Sequence, residues 1–462
     1  MTGRAGWTRF GRILRSSIGF PTNPASGGGQ GAQEPSRVPS GAMRPLSEVR
    51  DLVLARCPRL APVEVPLARA RGCVVVDDVV ADADLPGFAS SAMDGFAVRA
   101  ADVASASEDI PVVLDVLETV MAGQSTERVV GSRQAIRIMT GAPVPAGADA
   151  IVPVERSRFS DGTRDRDETV AILARSEPGQ HVRGAGDDVR AGTVVIPAGT
   201  VLTAPLIGVL AAVGRTRVEV VPRPRVGVIS TGDELVEAPR ALATGQIRDS
   251  NRPMLLAKAA EAGCEPVDLG WVRDDVDAVA AALHAAAFRC DMILTSGGVS
   301  MGEADVVKLV LDRMADPEWI QIAIRPAKPF AIARVDGVPL LGLPGNPVSS
   351  LVSFELLARP ALQQMAGRPI DAVRISARAG QGLDRRPDGK DHYVRVTVDS
   401  DDQGWTVTPV VGQGSHQLAA TATATGLAVL PDGDGIAAGE PVEVLVLDPV
   451  AVLRSAGGPD RS

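Results

Sequence analysis

A glycine-rich loop follows an apolar segment near the middle of the chain. DMILTS (291–296) predicts a buried strand, and Ser296-Gly-Gly-Val-Ser300 follows it directly. Adjacent glycines let backbone N–H groups approach a ligand closely, and the next predicted helix begins here with its positive dipole end. Ser300 and Glu303 also have capping-box spacing, and Asp305 falls in the first helical turn. The segment therefore indicates an anion site, with a tight turn before a capped helix as the alternative.

Two cations, three residues apart, each precede a proline in Ile324-Arg-Pro-Ala-Lys-Pro-Phe330. Arg325 and Lys328, held in this way, suit a rigid oxyanion clamp, and a solvated surface pair is the alternative. Leu343-Pro-Gly-Asn-Pro347 follows another predicted strand. Its Pro347, at a helix start, has a structural explanation.

Carboxylates gather where other predicted strands end. Glu234 lies in Ser230-Thr-Gly-Asp-Glu-Leu235, Asp274 and Asp275 follow PVDLGWV (266–272), and Asp305 belongs to the segment of the glycine-rich loop. Mg²⁺ commonly links a few carboxylates to phosphate oxygens. The residues therefore predict a Mg²⁺-assisted phosphate or oxyanion site, without naming its substrate.

Other catalytic signatures are weak or missing from the sequence. It contains neither a Walker motif nor a strand-borne GxGxxG, and its histidines and cysteines lack metal-ligand spacing. Gly298-Val-Ser-Met-Gly302 fits GxSxG, which permits a serine-hydrolase hypothesis with Ser300 as nucleophile and His392 or His416 as base. No HGGG-type segment precedes it, so this hypothesis is disfavoured.

Composition argues against several classes of protein. The 462 residues carry a net charge of -9 and only 3% aromatic residues, which disfavours a nucleic-acid binder. No apolar run approaches the ~20 residues of a membrane span. Residues 1–42 lack an apolar signal-peptide core, which predicts a disordered tail and a cytoplasmic protein. Four widely spaced cysteines fit a reducing cytosol, as buried apolar side chains.

Most of the candidate site residues lie in the region 222–368, whose predicted secondary structure must position them. There, apolar strands alternate with helix-length segments, which predicts a parallel sheet covered on both faces. Ligands bind outside the carboxyl ends of such strands. The loops after 230, 272, 296 and 343 should therefore share one rim.

Segments typical of β-structure flank this domain on both sides. After a first amphipathic helix, residues 43–221 show short β-segments between Gly/Pro turns, which predicts two β-rich modules, one inserted in the other. Residues 369–450 predict a small β-barrel, and 451–462 a second tail. The predicted fold class is thus multidomain α/β plus β, with a central parallel-sheet domain.

Six segments, in this order, resemble the MoeA family of molybdopterin molybdenumtransferases, which includes the homologous domain of gephyrin. The resemblance covers about residues 45–448. The segments are Leu85-Pro-Gly-Phe-Ala-Ser-Ser-Ala-Met-Asp-Gly-Phe-Ala-Val-Arg99, Arg137-Ile-Met-Thr-Gly-Ala-Pro-Val-Pro145, Ser230-Thr-Gly-Asp-Glu-Leu235, Gly245-Gln-Ile-Arg-Asp-Ser-Asn251, Ser296-Gly-Gly-Val-Ser300 and Leu343-Pro-Gly-Asn-Pro-Val-Ser349.

The resemblance implies a transferase that inserts molybdate into adenylylated molybdopterin, with Mg²⁺ as the metal and with molybdenum cofactor and AMP as products. It also implies an elongated homodimer, in which the α/β domain of one subunit and the β-rich domain of the other share an active site. The upstream adenylyltransferase is an expected partner, whereas nucleic acid and membrane are not. That adenylyltransferase shares only the α/β domain, so residues 63–220 and 369–448 argue against it as the identity of this chain.

The same motifs imply roles for residues of this chain. Asp94, Thr140 and Asp188 are expected to contribute to catalysis from the β-rich domain of the second subunit. Glu234, Asp274 and Asp305 are expected to act in catalysis and to hold the metal. The expected substrate-binding residues are Ser296, Gly297, Gly298, Ser300, Arg325, Lys328, Pro344, Pro347, Arg395 and Ser415.

The chain departs from the family pattern at several positions. Ala89-Ser90 replaces the usual Asp-Asn, and Gln321 replaces a Lys upstream of the clamp. Ala327 replaces a Gly within the clamp, and Asp187 replaces a Glu. These changes leave a catalytically weak paralogue, acting as a scaffold or binding protein, as the alternative function.

Overall fold

The computed structural model of the chain describes residues 42–159, 169–299 and 306–456. Its N-terminal region opens with a helix and continues in short strands separated by turns, as the sequence predicts. The elements are α1 (Leu46–Arg56), β1 (Val63–Pro66), α2 (Leu67–Ala70), β2 (Val74–Val75), β3 (Val79–Val80), β4 (Ser90–Ser91), β5 (Gly95–Val98), β6 (Val112–Val120), β7 (Gln134–Ile138), β8 (Ala150–Pro153), β9 (Ser157–Phe159), β10 (Thr169–Ile172), β11 (Val182–Arg183), β12 (Val194–Ile196), α3 (Ala204–Ala212) and β13 (Arg217–Val221).

Two β-structures make up this region. In the first, β13 lies between β1 and β2, and the core includes Ile196 of β12. The chain leaves after β3 and returns at β12, and a second sheet forms in between, with the order β8-β5-β7-β6-β10-β9. Phe96 belongs to one core of this second sheet and Ala97 to another, because successive residues of a strand point to opposite faces. The second sheet is thus an insertion in the first β-structure.

The central domain alternates strands with helices. Its elements are β14 (Arg225–Thr231), β15 (Leu235–Val236), β16 (Ile247–Arg248), α4 (Asn251–Glu261), β17 (Glu265–Val272), α5 (Val276–Ala287), β18 (Met292–Ser296), α6 (Val306–Met314), β19 (Glu318–Gln321), β20 (Ile324–Arg325), β21 (Pro329–Val335), β22 (Val338–Leu343), α7 (Pro347–Ser353), a π-helical turn (Phe354–Ala358) and α8 (Arg359–Met365). The main sheet has the order β17-β14-β18-β22-β21-β19.

This central sheet is mixed rather than wholly parallel. β17, β14, β18 and β22 are parallel, whereas β21 runs antiparallel to both β22 and β19. Asp336 and Gly337 join β21 to β22 with φ angles of +49° and +86°. Positive φ at both residues is typical of the type I′ turn, which joins antiparallel strands. The sheet therefore differs from the sequence expectation at this edge.

Helices cover both faces of the sheet, as predicted. α5 begins after Asp275, whose carboxylate accepts a hydrogen bond from the Ala278 N–H at 2.8 Å, and it buries Val279 and Leu283 against one face. On the other face, α1 packs with α4 and α8 in one apolar core, although α1 precedes the β-rich modules in sequence. None of the helices in the described ranges is long and apolar enough to cross a membrane.

The strand order creates a crevice at one end of the sheet. From β14 the chain crosses to β17 on one side, and then to β18 on the other side of β14. The connections after β14 and β18 therefore leave in opposite directions, which is the ligand-binding position of doubly wound sheets. Thr231 and Ser296 end these two strands.

The C-terminal region closes into a barrel, as predicted. Its elements are β23 (Arg374–Ala379), β24 (Leu383–Asp384), β25 (Asp391–Asp401), β26 (Gly404–Pro409), β27 (Gly426–Leu430), β28 (Gly435–Ile436), β29 (Pro441–Val446) and α9 (Pro449–Ala456). β25 pairs with β26 and β27, and β23 and β29 complete the circle. α9 continues to Ala456 and buries Val452 in the barrel core. The sequence pattern instead assigns residues 451–456 to a tail.

Gly95 in β5 offers a test of how the inserted sheet packs. A Cβ at this position would lie 2.0 Å from the Val152 carbonyl oxygen of β8, a backbone atom that cannot move aside alone. We expect Gly95→Ala to lower the free energy of unfolding by about 1–3 kcal/mol, measured by urea denaturation.

Gly208→Ala in α3 is the matched control. A Cβ on Gly208 would meet nothing within 4 Å, so alanine should raise the free energy of unfolding by about 0.5–1 kcal/mol through its helix propensity. Equal effects of the two substitutions would contradict this account.

Candidate functional site

The loops after β14, β18 and β22 converge at the crevice. A Cβ on Gly345 would lie 3.7 Å from the Gly297 Cα, and a Cβ on Gly297 would lie 3.5 Å from the Thr231 carbonyl oxygen. The Gly297 N–H donates to the Leu343 carbonyl at 3.0 Å, and Ser296 is buried where β18 ends. The predicted rim is confirmed for these loops, which meet through backbone atoms.

The backbone requires glycine at two positions of the loop after β18. Gly297 and Gly298 adopt φ angles of +91° and +76°, a region that other residues rarely adopt. A Cβ on Gly298 would also lie 2.3 Å from the Val307 Cβ of α6. The loop therefore needs glycine for its backbone conformation and, at position 298, for its packing against α6. The remaining predicted residues here lie outside the described ranges, and with them the capping-box alternative: Ser300, Glu303 and Asp305.

The carboxylates of Glu234 and Asp274 extend from neighbouring loops that are tied together. The Asp233 N–H donates to Asp274 Oδ2 at 3.4 Å, and the Trp271 indole N–H donates to the Gly232 carbonyl at 2.7 Å. A Cβ on Gly232 would lie 2.5 Å from Glu234 Oε2, so this carboxylate folds back over the glycine. Both acids are exposed. The structure thus places two of the three predicted metal ligands on adjoining loops.

A resident metal ion would have few protein ligands here. In the ranges that the structure describes, no group of three or more His, Cys, Asp or Glu side chains is arranged to hold a metal. Mg²⁺ fits a smaller set, because it binds through one or two carboxylates and keeps waters and phosphate oxygens as its other ligands.

Burial raises the pKa of Cys57 to about 12 and that of Cys264 to about 11, so these thiols stay protonated and unreactive.

A loop of the barrel reaches the same rim. The Ser415 carbonyl accepts a hydrogen bond from the Val348 N–H at 3.0 Å, one residue after Pro347 begins α7. Pro344 is buried in the loop that precedes α7. The structure therefore brings Pro344, Pro347 and Ser415 together, from two domains that are far apart in sequence.

Arg395 orders this barrel loop from within. It is 1% exposed, and burial lowers its pKa. Its guanidinium donates at 2.7 to 3.1 Å to the carbonyls of Gly412, Gly414 and Gln417 and to the hydroxyl of Thr421. These donors are committed to the loop that carries Ser415. Arg395 thus supports the predicted pocket and does not present a free guanidinium to it.

Arg325 and Lys328 are exposed, and the residue beside Lys328 has a strained backbone. Ala327 adopts a φ of +79°, which costs a residue with a Cβ about 1–2 kcal/mol. Across the parallel ladder of β20 and β25, Arg325 pairs with His392, a neighbour that no sequence pattern reveals. Burial, together with nearby cations that include Arg325, lowers the pKa of His392.

A second group of predicted residues lies in the inserted sheet and its edges. Asp94 Oδ1 accepts hydrogen bonds from both the N–H and the hydroxyl of Thr140, each at 2.7 Å. These bonds lower the pKa of Asp94, so the exposed carboxylate is ionised at neutral pH. The Asp188 N–H donates to the Leu85 carbonyl at 3.0 Å, where the segment that carries Asp94 begins. Between described residues, no hydrogen bond of these predicted residues reaches the central domain.

Sequence reasoning missed two side chains that hold the rim in place. The Asn251 side-chain N–H donates to the Gly345 carbonyl at 2.7 Å and ties the start of α4 to the loop after β22. Trp271 holds the loop after β14 through Gly232. Asn251 is the last residue of the motif at 245–251, so the sequence marks it as part of the resemblance. Only the fold shows that its side chain reaches the Gly345 carbonyl.

We expect Thr140→Val to raise the pKa of Asp94, measured by NMR titration of its carboxyl carbon. The hydroxyl that stabilises the carboxylate is lost, while the Thr140 backbone N–H remains. Because the pKa in the folded protein is depressed, the variant should lose the Asp94 charge at a higher pH than the wild type does. Thr140→Ser keeps the hydroxyl and should titrate like the wild type. Identical titrations of the valine and serine variants would refute the role of the hydroxyl.

Family models match three consecutive parts of the chain. The MoeA N-terminal region (domain I and II) matches residues 44–214, and the probable molybdopterin binding domain matches residues 227–364. The MoeA C-terminal region (domain IV) matches residues 381–447. These ranges follow the β-rich region, the central domain and the barrel of the structure.

Known proteins match the chain over nearly their whole length. Molybdopterin molybdenumtransferase 2 of Mycobacterium tuberculosis is 42% identical over 411 residues, which cover 87% of this chain and 99% of that protein. The molybdopterin molybdenumtransferase of Haemophilus influenzae is 35% identical, over 87% of this chain and 98% of that protein. The crystal structure of a molybdopterin biosynthesis MoeA protein from Pyrococcus horikoshii matches with a TM-score of 0.69 and 30% identity, over 88% of this chain and 99% of that one. This chain therefore belongs to the MoeA family of molybdopterin molybdenumtransferases.

Proposed function

We propose that this chain inserts molybdate into adenylylated molybdopterin, releasing AMP and forming the molybdenum cofactor. The observation that carries the proposal is the convergence of the loops after β14, β18 and β22 with the barrel loop at Ser415. The relatives in Mycobacterium tuberculosis and Haemophilus influenzae bear the transferase name, which supports catalysis and disfavours a scaffold without activity. The buried, unpaired cysteines suit a reducing compartment, so we place the protein in the cytoplasm.

The crevice offers the groups that anionic substrates require. Molybdate is a tetrahedral dianion, for which the exposed cations of Arg325 and Lys328 are suitable partners. The partly exposed backbone at Gly297 and Gly298 is where we propose that the phosphate-bearing substrate binds. As the phosphoanhydride bond breaks, negative charge develops on the departing AMP, and preorganised cations stabilise it.

Glu234 and Asp274 are the residues that we propose to hold Mg²⁺, with Asp305 as a third ligand. The exposed carboxylates of Glu234 and Asp274 lie on tied loops and match the small donor set that Mg²⁺ uses beside phosphate. When bound, Mg²⁺ would neutralise charge on the phosphate oxygens.

Asp94, Thr140 and Asp188 would act in the site of a second copy of the chain. The hydrogen bonds of Asp94 stay within its own module and keep its carboxylate charged and oriented although it is exposed. Phe88 and Met93, in the same segment, are 48% and 37% exposed. A fixed charge beside exposed apolar side chains suits an interface, so we propose a homodimer with shared active sites. The adenylyltransferase that makes the substrate is the proposed upstream partner.

The first test is molybdate-dependent release of AMP. Purified protein, supplied with adenylylated molybdopterin, Mg²⁺ and molybdate, should release AMP and yield a cofactor that activates a cofactor-free molybdoenzyme. Sulfate, another tetrahedral dianion, is the matched control and should yield no active cofactor. If the folded protein binds the substrate but releases no AMP, the transferase proposal fails and the scaffold alternative gains support.

Paired variants test the shared site. Asp94→Ala and Asp274→Ala should each lower the transfer rate about 100-fold while the protein stays folded, because both side chains are exposed. Co-expressed, the two variants should recover about a quarter of the wild-type rate, since half of the dimers are mixed and each mixed dimer has one intact site. No recovery, once mass spectrometry has detected the mixed dimer, would rule out a shared site.

A further inference from the structure

Glu234 belongs to an excursion from the central sheet, residues 232–250, which we call the 232–250 arm. The arm leaves after β14, returns at α4, and contains the short ladder of β15 and β16. All of it is described, and Val236 is its only buried apolar side chain. A segment with so little buried apolar surface opens easily, so polar contacts must decide its position.

Arg252, in the first turn of α4, contacts both ends of the arm. Its Nε donates to Asp249 Oδ2 at 3.0 Å, where the arm returns, and its Nη2 donates to Glu237, where the arm departs. Its Nη1 donates to both carboxylate oxygens of Asp268 in β17, each at 2.6 Å. The Arg252 side chain is only 12% exposed. One guanidinium therefore joins the two ends of the arm to the central sheet.

Asp249 extends this network to the crevice. Its side chain is 4% exposed, and its Oδ1 accepts hydrogen bonds from the Ser230 hydroxyl at 3.2 Å and the Arg252 N–H at 3.1 Å. Ser230 precedes Thr231, whose carbonyl oxygen faces Gly297. The contacts of Arg252 thus continue into the loops that form the proposed active site.

The network holds one cation among the carboxylates of Asp249, Asp268 and Glu237. Burial opposes the charge of Arg252, but hydrogen bonds to Asp268 and Asp249 raise its pKa overall. Without the guanidinium, the carboxylates would repel one another, and Asp249 would remain a buried charge without its cation. Lysine could replace Arg252 only in part, because a single ammonium cannot reproduce the several directed hydrogen bonds of a planar guanidinium.

We infer that Arg252 is the positioning residue that holds Glu234 at the crevice by clamping the 232–250 arm through Glu237 and Asp249. The part played by Glu234 rests on the proposed function, whereas the clamping of the arm does not. Arg252 acts through the arm, so its loss should affect the Mg²⁺ requirement and the mobility of the arm more than the stability of the domain.

Arg252→Met tests this inference, with Arg225→Met as the matched control. Arg225 forms a comparable pair with Asp291, at 3.1 and 2.8 Å, at the opposite end of β14. We expect Arg252→Met to accelerate amide hydrogen exchange within residues 232–250 about tenfold, and to raise the Mg²⁺ concentration for half-maximal AMP release about tenfold. Arg225→Met should change neither, although it can lower the midpoint of thermal unfolding. Arg252→Lys should give an intermediate result. If Arg252→Met does not fold, Arg252→Lys is compared with Arg225→Met instead.

Unchanged exchange in the arm of Arg252→Met, or an equal increase in the Arg225→Met control, would overturn the inference. So would a lower midpoint of thermal unfolding with an unchanged Mg²⁺ requirement, which is the result of a merely structural role. If the wild type releases no AMP, but exchange in the arm still rises only in the Arg252 variants, the proposed function fails and the clamping role stands.

Discussion

The close approach of backbone at the end of the central sheet is the constraint on which the rest of the site depends. Gly297 lies between Thr231 and Gly345, and a Cβ on Gly297 or Gly345 would already be in van der Waals contact with the facing backbone. The polar side chains of the candidate site therefore extend from the loops around this backbone contact. Glu234 and Asp274 arrive from loops of the same domain, and the barrel loop reaches the rim at Ser415. The strand order fixes where the site forms, and the glycine backbone fixes how closely its walls approach.

Loops without ladder partners need other donors for their carbonyl groups, and single side chains supply them here. Asn251 satisfies the Gly345 carbonyl, Trp271 satisfies that of Gly232, and Arg395 satisfies several carbonyls of the barrel loop. Leaving a buried carbonyl, such as that of Gly232, without its partner costs about 1–3 kcal/mol, which is more than a typical hydrogen bond contributes on balance. A few donors can therefore hold each loop in one conformation. The site is rigid where these donors act, even though its loops bury little apolar surface.

Periodicity and turn chemistry explain how much of this could be predicted from the sequence. The strand–loop–helix alternation, the barrel and the glycine-rich loop after β18 all follow from local patterns. The antiparallel edge also has a local signal, because Asp336-Gly337 is a typical hairpin turn. The prediction misses this hairpin because it assigns the whole region to alternating parallel strands and helices. By contrast, α1 packs on the central core, and Arg395 of β25 turns its donors into the loop that carries Ser415. Both depend on contacts between distant segments, which no local pattern records.

Two of the positions at which the sequence departs from the expected family pattern, Ala89 and Gln321, make backbone hydrogen bonds. The Ala89 carbonyl accepts a hydrogen bond from the Val144 N–H at 2.9 Å, and the Gln321 carbonyl accepts one from the Arg44 N–H at 2.8 Å. Neither contact uses the substituted side chain, so these changes leave the loops in place.

Gln321 also lies beside the cationic clamp, since the Ile322 N–H donates to the Lys328 carbonyl at 2.7 Å. A lysine at position 321 would add a positive charge there, and one charge at such a site is worth on the order of 1–2 kcal/mol toward an anion. If Arg325 and Lys328 bind an oxyanion as proposed, glutamine at position 321 would weaken that attraction and leave the backbone contacts unchanged.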